Sequence, residues 1–387
     1  NSPAIYLIKK LPNYKIKVFD PVVKKINILS KNLEFCKNSY DAIKNCDVLI
    51  IATPWIIFKK INLFFLEKNI KKKILIDPYS LYNTNKLSKI NIHHIVMGKA
   101  TNGKKKFYNR VVILGSRSFV GKAIANKLYD NDIEPLLISR KEIDLESKIC
   151  TFKLNKIIKN NDVVVVVAAK SPVKNIETLN KNLIMAKNII ESLKKVKLSH
   201  LIYVSSDAVY SDTKKKINEQ SETIPATLHG FMHLIRETMF KELNCLKTFV
   251  RPTLIYGVSD PHNSYGTNKF TRCAQSNKEI ILFGKGEEKR DHVHVDNVAE
   301  IVATSIINKI GGIVNAVSGS VIPFFEIAKI LKKNYPTLKI KTTKRTMPMP
   351  HKGYRGFDIA LLRKKFPNIK LVKLPIWLAK KYKYKQI

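Results

Sequence analysis

The stretch RVVILGSRSFVG, residues 110–121, decides the fold. Val111 to Leu114 are apolar without alternation, the mark of a strand covered on both faces. From Phe119 onward the apolar residues recur at helical spacing, through Ile124 to Leu128. A buried strand that turns through Gly115 straight into a helix leaves the first helical N–H groups, and the positive end of the helix dipole, facing one point. Such a point holds an anion, and the spacing GxxSxxG is a variant of the dinucleotide-binding fingerprint. Ser118 occupies the place of a middle glycine. Its Cβ narrows the approach to a pyrophosphate, while its hydroxyl adds a donor. On these twelve residues alone, a tight turn with no ligand is an open alternative.

Downstream, the same grammar continues. PLLIS (135–139), DVVVVVAA (162–169) and LIYVS (201–205) read as further buried strands. A helix follows the third strand to about Val196, and another spans roughly 228–243 beyond a polar loop at 211–223. Thr248 to Arg251 begins a further strand. Strands alternating with helices predict an α/β fold with a mostly parallel sheet. The later residues alternate less regularly, as in a smaller C-terminal substrate-binding lobe. The second strand ends Ser139-Arg140-Lys141, where an acidic residue would bind the ribose hydroxyls of NAD. A cationic pair there suits a 2′-phosphate, which favours NADP over NAD; two solvated surface cations are the alternative. The expected cofactor contacts are Gly115, Ser118, Phe119, Val120, Gly121, Arg140, Ala168 and Ala169.

Upstream, residues 1–100 form a second α/β unit, so that the chain holds two consecutive Rossmann-like domains. Ser2-Pro3 reads as a helix start. A short strand at 15–19, a helix at 39–46, the strand DVLIIA (47–52), a helix at 55–69 and the strand KILID (73–77) follow. TNGKKKFYN, residues 101–109, is polar, basic and glycine-containing, and reads as a linker to the domain at 110–387. The chain opens at Asn1 within a helix-start signal, which implies a segment upstream.

Composition narrows the function classes. Of 387 residues, 70 are Lys or Arg and 30 are Asp or Glu, a formal net charge of +40. The excess is mostly lysine and is spread along the chain, whereas bidentate recognition of bases and phosphates favours arginine. The charge therefore reads as a solvated surface, and nucleic acid is not an expected partner. Five scattered cysteines with no CxxC pair suit a reducing cytoplasm and argue against structural zinc. No apolar run reaches the roughly 18 residues of a membrane span.

Taken together, VVILGSRSFVG, VVVVVAAK, LIYVSSDAVY, RPTLIYG, NKF and LFGKGEEKRDHVHVDNVAE resemble the extended short-chain dehydrogenase/reductase superfamily, of the NAD-dependent epimerase/dehydratase type. The resemblance covers residues 110–387. It implies a nucleotide-sugar substrate, UDP- or GDP-linked, with Arg290 on the diphosphate and Arg251, Tyr256 and Asn268 also at the substrate, and it implies a homodimer. The family's active site uses Ser or Thr, Tyr and Lys. Ser206 matches the first, with Asp207 after it. The Pro-x-x-x-Tyr-x-x-x-Lys-x-x-x-Glu register falls on Pro225, His229, His233 and Glu237, so both central catalytic residues are histidine. The glutamate that dehydratases carry after the Asp is Ala208, which leaves epimerase, reductase or decarboxylase. Residues 1–100 resemble the UDP-binding domain of the UDP-glucose/GDP-mannose dehydrogenase family, through SPAIYLIKKL, KVFDP, SYDAIKNCDVLIIATPW and ILIDPYS. The Arg that family places after the Asp turn is missing beyond Asp77.

Four residues apart on a helix, the two histidines share a face. A neutral imidazole is a competent acid/base near pH 7, so His229 is expected to exchange a proton with a sugar hydroxyl and His233 to bond the cofactor ribose. The other reading is a site that binds cofactor and sugar without redox chemistry, a non-catalytic module fused to a dehydrogenase remnant. A zinc site at this pair lacks a third ligand, and no metal is expected. His292 and His294 read as structural residues of a strand. The expected activity is NAD(P)-dependent epimerisation or reduction of a nucleotide sugar for cell-surface polysaccharide.

Overall fold

The computed structural model describes residues 3–24, 32–82, 87, 90, 92–96, 108, 110–258, 260–263 and 265–381. Its contacts divide the chain into two compact units, Asn1–Lys106 and Phe107–Ile387. Of the expected linker at 101–109, only Tyr108 lies among the described residues.

The first unit begins with α1 (Pro3–Lys10), β1 (Ile16–Val18), β2 (Leu33–Phe35), α2 (Ser39–Ile43) and β3 (Cys46–Ile50). β1 and β2 pair in parallel. The single helix expected at 55–69 is two elements, a 3-10 turn (Ile56–Lys60) and α3 (Leu63–Asn69). The Asn62 side chain accepts from the N–H groups of Phe64 and Phe65, so it caps a new helix rather than continuing the old one. β4 (Ile70–Ile76) starts earlier than its sequence suggests, because Lys71 to Lys73 lie in a bulged stretch where the register against β3 shifts and Lys73 takes a φ of 56°. β5 (His93–Ile95) completes a three-stranded parallel sheet, β3-β4-β5. Leu66, Ile70 and Leu75 centre the core.

The second unit is built on β6 (Val111–Leu114), α4 (Phe119–Asp130), β7 (Leu136–Ile138), α5 (Cys150–Ile157), β8 (Val163–Val166), α6 (Ile176–Leu193), β9 (His200–Val204), α7 (Leu228–Phe240) and β10 (Leu246–Pro252). After these come β11 (Leu254–Tyr256), α8 (Thr267–Gln275), β12 (Ile280–Phe283), β13 (Lys289–His294), α9 (Val295–Asn308), β14 (Gly312–Ala316), β15 (Val321–Pro323), α10 (Phe324–Asn334), β16 (Ile340–Thr343) and β17 (Tyr354–Arg355). The main sheet is parallel throughout, in the order β14-β10-β9-β8-β6-β7. Every residue of β6 and β8 is buried. Ile124 and Leu128 of α4 and Val298 and Val302 of α9 cover one face. Leu154 of α5, Ile189 of α6 and Phe240 of α7 cover the other. The chain leaves β6 toward β7 and then returns past it to β8, so the strand order reverses between β6 and β8. A crevice opens beyond the strand ends at such a point. The smaller C-terminal lobe packs β12 and β16, the β11-β13-β15 sheet and α8 and α10 around Phe270, Phe324 and Ile327.

Candidate functional site

The loop after β6 carries a φ of +95° at Gly115, and a Cβ there would lie 2.7 Å from the Ala168 nitrogen. Only glycine satisfies both the conformation and the close approach to β8's exit. Ser118 caps α4: its Oγ accepts from Gly121 N at 3.0 Å and donates to Gly115 O at 2.8 Å. The serine in place of the middle glycine thus closes the loop on itself. The first-turn N–H groups of Phe119 and Val120 have no intrahelical acceptor and point out of the helix end. Beside this end lies a cleft of about 260 Å³ whose walls include Gly115, Ser118, Arg140, Ala168 and Ala169. A helix end of this kind fits a dinucleotide pyrophosphate.

Arg140 stands at the end of β7, two-thirds exposed, with Asp144 at 3.4 Å and Glu146 at 3.8 Å. Asp144, Leu145 and Glu146 also line the cleft; they follow the strand in a loop without a periodic signal, and the sequence reading passed over them. Lys170 reaches Glu146 at 2.7 Å.

The helix α7 is seated against the 3-10 turn Asp207–Val209 because Gly230 has no side chain: a Cβ would strike Ala208 O and lie 2.8 Å from Pro225 Cβ. Thr227 caps the helix through Gly230 N at 3.2 Å. The contact brings His229 to the turn that bears Ser206 and Asp207. Ser206 Oγ accepts from Ala208 N at 3.1 Å. His229 Nδ1 is shielded from solvent and has no hydrogen-bond partner among the described residues. Burial holds the His229 pKa below its ordinary value, with His262 acting in the same direction and the Asp207 carboxylate opposing. His233 is buried, 2.7 Å through Nδ1 from the Tyr203 hydroxyl, and burial, His229 and Arg236 all disfavour its protonation. Burial opposes the charge on Asp207, but Arg355, Arg290 and His351 outweigh it and hold the carboxyl below the usual range. Arg355 Nε meets Asp207 Oδ2 at 3.2 Å.

The expected substrate contacts divide. Arg290 is near enough to the site to act on Asp207, is paired with Glu288 at 3.2 Å, and has an Nε buried with no partner among the described residues. Asn268 donates to Ile255 O at 3.2 Å and to the Asp260 carboxylate. Arg251 is 3% exposed and grips Glu237 with two parallel bonds, 2.9 Å from Nε and 2.7 Å from Nη2, while its Nη1 is buried with no partner among the described residues. Its charge is committed inside the protein. Tyr256 is fully buried, with its hydroxyl donating to Val372 O at 3.0 Å and its ring against His294 and Trp377. The sequence reading missed Arg355, His351 and His262, which converge electrostatically on Asp207 and His229 from distant segments. No local spacing connects them. Among the described residues no group of three or more His, Cys, Asp or Glu side chains converges as a metal site, and no helix is long and apolar enough to cross a membrane.

Comparison with known proteins gives two family matches. The NAD dependent epimerase/dehydratase family matches residues 111–316. The UDP binding domain of the UDP-glucose/GDP-mannose dehydrogenase family matches residues 1–84. The UDP-glucose 6-dehydrogenase of Rickettsia conorii is 33% identical over 102 residues, which is 25% of this chain and 24% of that protein. The chain thus spans about a quarter of the length of the UDP-glucose 6-dehydrogenases it matches. The GDP-L-fucose synthase of Escherichia coli is 26% identical over 217 residues, 49% of this chain and 67% of that protein. Among solved structures, UDP-glucose 4-epimerase of Thermus thermophilus, in complex with NAD, aligns with a TM-score of 0.61 at 17% identity, covering 70% of this chain and 97% of that one. At that identity the likeness speaks for the fold.

Proposed function

Because the chain belongs to the NAD dependent epimerase/dehydratase family, we propose that it is a NAD(P)-dependent nucleotide-sugar epimerase or reductase in which histidine replaces the usual tyrosine and lysine. The observation that carries this reading is His229. Its Nδ1 has no hydrogen-bond partner among the described residues; a ring nitrogen of His200 and of His292 shares that state, but of the three His229 alone stands in the register of the family's acid/base residue and in the field of the ionised Asp207.

The bound cofactor would supply hydride exchange at its nicotinamide. Phe119 and Val120 offer their N–H groups to its pyrophosphate, and Arg140 offers a cation to a 2′-phosphate, which favours NADP over NAD. His229, neutral at physiological pH, accepts the proton of the sugar hydroxyl as the carbon gives up hydride, and returns it in the reverse step. Asp207, kept ionised by Arg355, stabilises the imidazolium that forms. Arg290 is placed to hold the diphosphate of a UDP- or GDP-sugar. UDP fits the family of the first unit and the solved relatives with UDP-sugars. Such a step would feed a cell-surface polysaccharide. Five free cysteines suit the cytoplasm. Leu228, Phe231 and Ile235 leave an exposed apolar stripe on α7, which supports a homodimer through that helix.

The test is sugar interconversion, followed by NMR, or NADP reduction across a panel of UDP- and GDP-sugars and uronates. Turnover in the parent and none in His229→Ala supports the reading. Ligand binding without turnover on the whole panel would favour a non-catalytic binding module, the reading to which the loss of both Tyr and Lys points.

A further inference from the structure

One buried group has no counterpart in the acid/base scheme above. Arg236, on the same helix one turn beyond His233, is fully buried and ion-paired with no carboxylate among the described residues. Its Nη2 donates to Ala168 O at 2.9 Å, at the wall of the cofactor cleft, and its Nη1 lies 3.5 Å from Asn182 Oδ1. Its guanidinium stacks 5.0 Å over the ring of Tyr203. Nε is buried without a partner among the described residues. A guanidinium does not give up its proton in proteins, so this is a fixed cation in the interior. The Tyr203 hydroxyl, 2.7 Å from His233 Nδ1, is equally enclosed. If Nδ1 carried the proton and donated to the hydroxyl, the hydroxyl's own proton would need a second acceptor, and among the described residues it meets no hydrogen-bond partner besides that nitrogen. The economical arrangement has Tyr203 donating to Nδ1, which leaves the ring proton on Nε2.

We propose that Tyr203 and Arg236 are positioning residues that make His233 a workable replacement for a helix lysine: Tyr203 fixes the Nε2–H tautomer, so that His233 presents a donor toward the cofactor ribose, and Arg236 supplies the buried positive charge that a lysine would have brought. This rests on the reading of the site as a dinucleotide-dependent one. Its electrostatic consequence is that both imidazoles stay neutral at working pH. The groups facing His233 are His229, Arg236 and Tyr203, with Glu237 on the same helix committed to Arg251. Those facing His229 are His233, Asp207 and His262. The cation nearest His233 therefore disfavours its protonation, and burial reinforces the effect. A doubly protonated pair would cancel the basicity that His229 needs.

The experiment is two-bond proton–nitrogen NMR of the imidazoles in the full chain, with His233 identified by its replacement with Gln, alongside NADPH titration. The parent should show His233 as a single neutral Nε2–H tautomer between about pH 5 and pH 8. Tyr203→Phe should mix the tautomers and weaken NADPH binding about three- to tenfold, the scale of one hydrogen bond, while binding of UDP alone is unchanged. Arg236→Met should move the protonation of the pair to higher pH, and Arg236→Lys should restore it. A protonated or Nδ1–H His233 in the parent near pH 7 overturns the proposal, as does a Tyr203→Phe protein with unaltered tautomer and affinity. The tautomer is read in resting protein, so it is decided whatever the turnover; a parent that binds NADPH but converts no sugar would overturn the enzymatic reading instead.

Discussion

His229 and His233 meet edge to face, their ring centroids 4.7 Å apart and their planes at 87°. At that distance one proton on the pair raises the cost of a second, and the two rings titrate as a unit. Both are held below the ordinary histidine value, His229 chiefly by burial and His233 by burial, by His229 and by Arg236. Removing a hydroxyl proton needs the neutral form, so activity should be full above the unperturbed value of about 6.5 and fall only below it. A pH profile of kcat/KM whose acid limb lies above that value would contradict the assignment. His229→Ala should abolish turnover while UDP and NADPH still bind. His229→Tyr alone should not restore it, because Arg236 is turned to Ala168 O and Asn182 and acts on His233 rather than on residue 229, and a tyrosine with no cation beside it titrates near 10; the double change with His233→Lys is the one expected to recover activity.

Arg251 and Glu237 predict a stability effect rather than a binding one. Glu237 also accepts from Ser205 Oγ at 2.6 Å, so both of its oxygens are occupied in the interior. Glu237→Gln removes the counter-charge and leaves Arg251 ionised and enclosed. The expected loss is about 3–5 kcal/mol, measured by urea unfolding. A loss below about 1 kcal/mol would mean that the pair is far more solvated than its burial indicates.

How much of this was legible in the chain follows from the range of each interaction. Val111 to Leu114 and Val163 to Val166 have no polar residue among them, so their place at the centre of a parallel sheet is written locally. Asn62 is an equally local signal that periodicity alone overlooks, since a cap outweighs the apolar pattern of the residues on either side. The family register places His229 on the helix that packs against the turn of Asp207, a local relation carried by one helix and one turn. Arg251 is the opposite case, a pairing that is not written locally. A conspicuous arginine after a strand looks available to a ligand until its partner, fourteen residues earlier on α7, folds against it. Arg355 reaches Asp207 across 148 residues of sequence, and no spacing rule spans that interval.

Arg140 carries the cofactor preference. It is exposed and shares its charge with Asp144 and Glu146, so it can turn toward a 2′-phosphate without leaving a buried vacancy. Arg140→Asp would set a third carboxylate beside those two and repel the phosphate while offering an acceptor to ribose hydroxyls. NADP affinity should fall at least about tenfold and NAD become the better ligand, by fluorescence titration. Equal affinities for the two cofactors before and after the change would refute the NADP preference and leave the fold untouched.

Arg290 carries the nucleotide. It pairs with Glu288, and among the described residues its enclosed Nε has no partner, so part of its hydrogen-bonding capacity awaits an acceptor. Arg290→Ala should weaken UDP or GDP by about 1.5–3 kcal/mol, the worth of a hydrogen bond to a charged group. Calorimetry on both proteins measures it. Unchanged affinity would remove Arg290 from the substrate site.

His200 predicts how the fold responds to acid. It lies fully buried on β9, with Nε2 2.7 Å from Thr248 Oγ1. That hydroxyl already donates to Ile310 O, so it must accept from the imidazole, and the ring is neutral with its proton on Nε2. Nδ1 is buried, with no partner among the described residues. A second proton there would be an uncompensated charge, and burial pushes the pKa down to about 4. The unfolded chain takes up this proton near pH 6.5, the folded one only near 4. The contribution of His200 is therefore fully present above about 6.5 and is lost progressively as pH falls to about 4, a span worth about 3 kcal/mol. His292, pushed to about 3 by burial and by Arg290, extends the loss further down. Urea unfolding across this range should show the parent losing stability steeply. His200→Gln, which retains a donor to Thr248 but cannot be protonated, should be less stable at neutral pH and lose about 3 kcal/mol less on acidification. Parallel curves for the two proteins would show that His200 is hydrated in the native state and titrates there much as it does in the unfolded chain.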